Sequence, residues 1–238
     1  MIDSSARQKI REWLAARARE AERYRREHAL EEIYIPRQPK TEITGDRVQL
    51  YDAVAATLGD VPLQYLEFGV FRGRSIAEIT KRFRHPEARF FGFDSFEGLP
   101  EAWGHAAPKT FTTGGAVPAA ADPRVSFVKG WFQNTLPDFL AVASLDRDHP
   151  VLVHYDADLY TSTLFILTTL WHYIPEYHFI FDEFFSEEIM ALHDFVRAYP
   201  IELTFLHQIS AGGYPAQTFG RIRRVAFTPA GSDDSARS

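Results

Sequence analysis

The chain has 238 residues, of which 45% are hydrophobic and 14% aromatic, enough to bury one large core or two small ones. A formal net charge of −6 argues against a broad electrostatic grip on nucleic acid, and the lack of cysteine excludes disulfides and thiolate metal sites. The start, Met1–Arg7, lacks the apolar core of a signal peptide, and the apolar run 164–171 is too short to span a bilayer, so a cytoplasmic protein is expected.

Residues 5–32 contain no Pro or Gly and read as a helix, with Ser4 or Ser5 as its cap. Ile10, Trp13, Leu14, Ala21, Tyr24 and His28 fall near one face at helical spacing, and Arg and Glu alternate elsewhere. The favoured reading is an exposed helix lying on the main domain; the alternative is a dimer arm or substrate lid. Pro36 and Pro39 make a linker, which divides the chain into an arm (1–40), a main domain (41–228) and a small, polar, disordered tail (229–238).

Thr44-Gly45-Asp46-Arg47 opens a second helix that runs to about Leu58, closed by Gly59. Leu63–Glu67 follows as a short buried strand, then a turn carrying Gly69 and Gly73, then a helix over 75–83. Phe90–Asp94 is a second strand. Residues 105–123, rich in Ala, Gly, Pro and Thr, read as a long mobile loop near the site. Val125–Lys129 is a strand and Thr135–Ser144 a helix with Pro137 in its first turn. Val151–Asp156 and Tyr177–Asp182 are strands, followed by helices over 161–173 and 187–198. Ile201–Gln208 and Thr218–Phe227 form a terminal antiparallel pair, with Gly212-Gly213-Tyr214-Pro215 in the connection. Alternation of strand and helix predicts an α/β fold, a doubly wound, mostly parallel seven-stranded sheet closed by an antiparallel hairpin.

Two strand ends carry an acid. Glu67 precedes Gly69, Arg72, Gly73 and Ser75, and Asp94 precedes Ser95. A dinucleotide site would want a third glycine in the first turn. An acid at both ends suits a nucleoside with an amino-acid tail better than a pyrophosphate, which prefers backbone N–H and positive charge. The turn therefore reads as a holder of S-adenosylmethionine, with Glu67 for the aminoacyl end and Asp94 for the ribose. Trp131 and Phe132, after the third strand, offer rings for adenine, and each is as readily a core residue.

His154, Asp156 and Asp158 alternate at the end of the fourth strand, and Asp182-Glu183 closes the fifth. Like charges crowd there unless a cation or proton joins them. Asp156, Asp182 and Glu183 make an all-oxygen set suited to Mg²⁺ or another hard divalent ion. Helix capping by Asp158 and Asp182 is the structural alternative.

These stretches resemble the macrocin O-methyltransferase (TylF-type) family of class I, S-adenosylmethionine-dependent methyltransferases. The resemblance rests on Tyr65–Val70, Gly92–Pro100, Gly130-Trp131-Phe132, Asp156–Tyr160 with Ser162-Thr163, and Phe181-Asp182-Glu183, in family order over 45–225. It implies a Rossmann-like fold, cofactor contacts at Glu67, Gly69, Ser75 and Asp94, and a metal at Asp156, Asp182 and Glu183. It also implies methylation of a sugar or aromatic hydroxyl of a natural product. Two departures are visible. Many relatives carry Asp where Glu183 stands, and Ile174-Pro175-Glu176-Tyr177 replaces a Gly-Gly lead-in to the fifth strand.

The expected mechanism has the metal acidify the acceptor hydroxyl, Asp158 or His154 take its proton, and Asp156 stand close to both cofactor and metal. Two other readings are weighed: an Asp-x-Asp glycosyltransferase, which leaves Glu67 and Asp94 unexplained, and a non-catalytic binding protein with a partner on the 5–32 helix.

Overall fold

The computed structural model describes residues 4–39, 41–104, 106–142, 145, 146 and 148–226. The proposed tail, 229–238, and the side chains of Ser4 and Ser5 lie outside the described ones. In chain order the elements are α1 (Ser4–Ala29), α2 (Arg47–Leu58), β1 (Gln64–Phe68), α3 (Arg74–Arg82), β2 (Arg89–Asp94), β3 (Val125–Lys129) and α4 (Phe132–Val142). There follow β4 (Val151–Tyr155), α5 (Tyr160–Tyr173), β5 (Glu176–Phe181), α6 (Ile189–Ala198), β6 (Ile201–Ala211) and β7 (Tyr214–Arg224). Single π-helical turns at Leu30–Tyr34 and Phe184–Glu188 follow α1 and β5.

The strands form one seven-stranded sheet in the order β3-β2-β1-β4-β5-β7-β6. The first five run parallel, and β7 inserts antiparallel between β5 and β6. This is the doubly wound sheet with a terminal hairpin that the alternation of elements predicts. From β1 the chain winds outward through β2 and β3, then returns to the other side as β4 and β5. The crevice at the carboxyl ends of β1 and β4 is thus a topological switch point, where folds of this kind bind ligands.

Period-two alternation separates the two faces of the sheet. One face is apolar along its length: Leu66, Phe68, Phe93, Val153, Tyr155, Phe179 and Phe181 pack under α5 and α6. The other begins apolar, with Leu63, Tyr65, Phe90, Leu152 and Ile180 against Leu50, Tyr51 and Val54 of α2 and Ile76 and Ile79 of α3. Two residues further on, the same strands of this second face present Glu67, Gly92, His154 and Asp182. Its interior supplies the core and its strand ends supply the chemistry.

Local signals explain the flanking helices. Asp46 caps α2: Val48 N–H donates to Asp46 Oδ1 (2.8 Å) and Asp46 N–H to Gln49 Oε1 (2.9 Å), a capping box. Gly59, at φ +76°, ends it. Arg124, just before β3, donates to the carbonyls of Thr80, Phe83 and His85 and fastens the end of α3 to the sheet.

Four expectations need correction. The apolar stripe of α1 does not lie on the domain, because Trp13 and Tyr24 are 59% and 66% exposed. Only the end docks: Ala29, Leu30, Ile33 and Tyr34 enter the core, with Tyr34 edge-on to Phe184 and Phe205. The segment 105–123 is no free flap, since Leu99 and Lys109, and Phe96 with Thr113 and Gly115, are joined by backbone hydrogen bonds. Gly98 lets that loop fold back, since a Cβ there would stand 2.5 Å from the Lys109 carbonyl oxygen. α4 begins at Phe132, so Pro137 lies past its first turn and deletes a ladder bond; residues 143 and 144 lie outside the described ones. Finally, Gly212 and Gly213, both at positive φ, make the whole hairpin turn, and Tyr214 and Pro215 already belong to β7.

Candidate active site

A cavity of about 400 Å³ opens at the switch point. Its wall combines the β1–α3 turn, the loop after β2, the β3–α4 turn, and the ends of β4 and β5. Gly69 sits at φ +95°, and a Cβ there would lie 1.8 Å from the Asp156 carbonyl oxygen, so only glycine fits between the two strand ends. Asp94 organises the same turn. Its Oδ2 accepts from Val70 N–H (2.8 Å) and Phe71 N–H (2.7 Å), and its Oδ1 from Phe96 N–H (2.7 Å). A carboxylate has about four acceptor positions, so room remains for a ligand hydroxyl. Trp131 lines the cavity, 36% exposed, whereas Phe132 also packs edge-on against Phe68 in the core.

Gly69, Arg72, Ser75, Asp94, Ser95, Trp131, Phe132, Asp156, Asp158, Asp182 and Glu183 all stand in this wall. Glu67, Gly73 and His154 do not. Gly73 sits in the left-handed region at φ +73° and starts α3. Glu67 and His154 are completely buried behind the wall. The Tyr65 hydroxyl donates to Glu67 Oε2, and Ser75 Oγ donates to Oε1 (3.3 Å). With that single proton committed, the Tyr65 oxygen accepts from His154 Nδ1–H (2.8 Å). On its other side, His154 Nε2 lies 3.7 Å from Asp182 Oδ1. Burial alone would push the His154 pKa down, but Asp182 and Glu67 on either side raise it to about 10. His154 is thus committed to this buried network and does not face the cavity, which corrects the expectation that it serves as a base. Glu67 is likewise corrected from a direct ligand contact to a buried anchor of this network.

Asp182 is the node between network and cavity. Its Oδ2 accepts from Arg47 (2.8 Å) and its Oδ1 from Gln217 Nε2. Burial would raise its pKa, but His154, Arg47 and Gln217 together hold it below the ordinary value. The neighbouring acids go the other way. Burial first, and Asp182 next, push Asp156 well up; burial and then Glu183 raise Asp158 to about 7. Glu183 is raised by burial and Asp182, and the buried Glu188 well up by burial and then Asp182.

Capping does not explain these carboxylates. The backbone N–H of Tyr160, at the start of α5, donates to Glu187 Oε2 (2.6 Å), and Asp158 makes no cap bond. Asp158 instead holds a strained positive φ of 60° while facing the cavity, a combination common at functional sites. The donor set of Asp156, Asp182 and Glu183 suits a hard divalent cation in its chemistry. It is not assembled as a closed ligand set. The one trio of donor atoms lying within 4.8 Å of one another, among the described residues, is elsewhere, at His28, Glu32 and His193.

Residues 66–181 match the family model described as a methyltransferase domain. The chain's fold is similar to that of the O-methyltransferase NovP, 22% identical over 76% of this chain and 80% of that one, with a TM-score of 0.52. It is also similar to an O-methyltransferase from Bacillus cereus solved in complex with SAH, 12% identical over 84% and 91% of the two chains, with a TM-score of 0.51. No curated protein matches the chain. The matched stretch begins within β1 and ends with β5, so it spans the strands that build the cavity. No helix among the described residues is long and apolar enough to cross a membrane.

Sequence reasoning missed Arg47, Gln217 and Tyr65. Arg47 carried a signal: a cation in the first turn of a helix opposes the helix dipole and implies an acid facing it. Tyr65 lies two residues before Glu67 on the same strand face, a neighbour that period-two counting identifies. Gln217 on the terminal hairpin had no local signal, since its partner is 35 residues away.

Proposed function

We propose that the protein is an S-adenosylmethionine-dependent O-methyltransferase acting on a hydroxyl of a small molecule, a sugar or aromatic moiety of a natural product, in the cytoplasm. A divalent cation, Mg²⁺ foremost, would be held by Asp156, Asp182 and Glu183. The observation that carries this reading is one cavity flanked by Asp94 and Trp131 on one side and by Asp156, Asp158, Asp182 and Glu183 on the other. The two structural relatives named above are O-methyltransferases, one of them holding SAH, which supports the same assignment.

When bound, the cofactor supplies a methyl group activated by its sulfonium, and the cation a positive charge that lowers the acceptor hydroxyl's pKa. The chain does the rest by placement. Asp94 accepts a ribose hydroxyl, Trp131 gives the adenine a ring to lie on, and the Gly69 turn allows close backbone approach. Ser75, Ser95 and Arg72 complete that wall. Asp158, the cavity-facing member of the two base candidates, accepts the acceptor's proton at its carboxylate. Arg47 holds Asp182, so a cation would compete with its guanidinium. The exposed face with Ile10, Trp13 and Leu14 is the surface through which a homodimer would form, a point that sedimentation velocity decides.

The test uses labelled cofactor, a panel of hydroxylated sugars and catechols, and thermal unfolding. SAH is expected to raise the melting temperature of the wild type and of Asp156→Ala, while only the wild type transfers the label and does so only with divalent cation. Full transfer in excess EDTA would remove the cation from the account. No response to SAH would remove the cofactor.

A further inference from the structure

We infer that His28, Glu32 and His193 form a binding site for a borderline transition-metal cation of the Zn²⁺ class, which fastens the N-terminal arm to α6. The site is independent of the methyl-transfer reading and uses none of its residues. His28 lies in the last turn of the long helix α1, and Glu32 follows four residues later in the π-helical turn that docks the arm. The two side chains therefore lie on one side of the helix. His193 comes from α6, 161 residues beyond Glu32.

The donor atoms already converge. His28 Nε2 is 3.3 Å from Glu32 Oε1, His193 Nε2 is 2.8 Å from Glu32 Oε2, and all three ligand atoms lie within 4.8 Å of one another. Metal–ligand bonds of about 2.0–2.2 Å in a tetrahedron put neighbouring donors roughly 3.3 Å apart, so the cluster needs only small side-chain adjustments. Imidazole and carboxylate donors select zinc-like ions over Mg²⁺ or Ca²⁺, which want oxygen alone. Glu32 faces solvent, which leaves a position for water.

A second observation points the same way. His193 is nearly buried, and its Nδ1 lies 3.1 Å from Asp194 Oδ1. With Nδ1 held on Asp194, Nε2 is the ring nitrogen aimed at the cluster, where it meets Glu32 Oε2 in a hydrogen bond whose proton a bound cation would replace. A carboxylate behind a histidine is the outer support that metal-ligating histidines use. Asp194 is itself fixed, because Tyr160 O–H (2.7 Å) and Arg25 (3.0 Å) donate to its Oδ2. The ligand nitrogen is thus held from α5, α6 and α1 together.

The experiment titrates the untagged full chain with Co²⁺ in a large excess of Mg²⁺, which competes for any all-oxygen site. One equivalent of Co²⁺ should give visible ligand-field absorption, and Zn²⁺ should displace it. Loss of outer support alone costs such sites about 10–100-fold in affinity, so His28→Ala and Glu32→Ala should each cost at least that. Both positions are partly exposed, so neither change threatens the core, and His172→Ala should bind as the wild type does. Zn²⁺ should also slow proteolysis of α1 in the wild type and not in His28→Ala. Absence of stoichiometric Co²⁺ binding by the wild type, or equal affinity in wild type and His28→Ala, overturns the site and leaves an ordinary histidine–glutamate pair.

Discussion

At Gly69 the chain has no room for even a methyl group, because the Asp156 carbonyl oxygen fills the space a Cβ would take. Gly69→Ala must push the β1 turn away from the end of β4 and adopt a left-handed backbone conformation. It is expected to lose roughly 1–3 kcal/mol of stability, read by urea unfolding, and to weaken SAH binding. His154 makes the sharper contrast. A base would lose turnover on substitution and keep its fold. A ring buried between Glu67 and Asp182 and bonded to the Tyr65 oxygen should instead leave a cavity and a broken polar network, so His154→Ala is expected to lose about 3–5 kcal/mol in the same measurement. Sequence reasoning found the right residue types at the strand ends because acids and glycines there have few structural uses. It could not say which of them face the cavity. That depends on the β1–β4 register, which sets Glu67 beside His154, and on Tyr65 and Gln217, which hold the buried acids from residues with no motif of their own.

The elements were legible where a local rule governs them. Buried apolar runs gave the strands, and Asp46 and Gly59 gave the ends of α2. The misread segments are those whose partners are distant: α1 shows amphipathic spacing yet holds its apolar side to solvent, and the loop after β2 is tied by backbone bonds invisible in composition. Arg124 is an interaction of the same distant kind. It reaches three carbonyls near the end of α3, covers the Phe90 ring at 5.1 Å, and is held by Asp122 at 2.6 Å. The hydrogen bond from Arg124 keeps the Asp122 carboxyl below its ordinary value. A depressed carboxyl stabilises the fold above its unfolded pKa and loses that contribution as pH falls through its folded one. Asp122→Asn should therefore cost about 1 kcal/mol at neutral pH, the pair being partly solvated, and the difference from wild type should vanish in acid. Urea unfolding at two pH values checks it. Tyr34→Ala, which empties the aromatic seat of the arm, should cost about 3–5 kcal/mol.

Across the whole molecule, one sheet does two jobs because its faces differ. The face under α5 and α6 stays apolar to the strand ends, while the face under α2 and α3 turns acidic at its last residues. The switch point between β1 and β4 gathers those ends around a single cavity. The central claim is that this cavity holds the methyl donor, with adenine on Trp131. Calorimetric titration of SAH into wild type and Trp131→Ala tests it most directly. Base-on-aromatic stacking is worth about 1–3 kcal/mol, so one SAH should bind per chain and Trp131→Ala should bind roughly 10–100-fold more weakly. No SAH binding by the wild type, or equal affinity in the two proteins, would contradict the account.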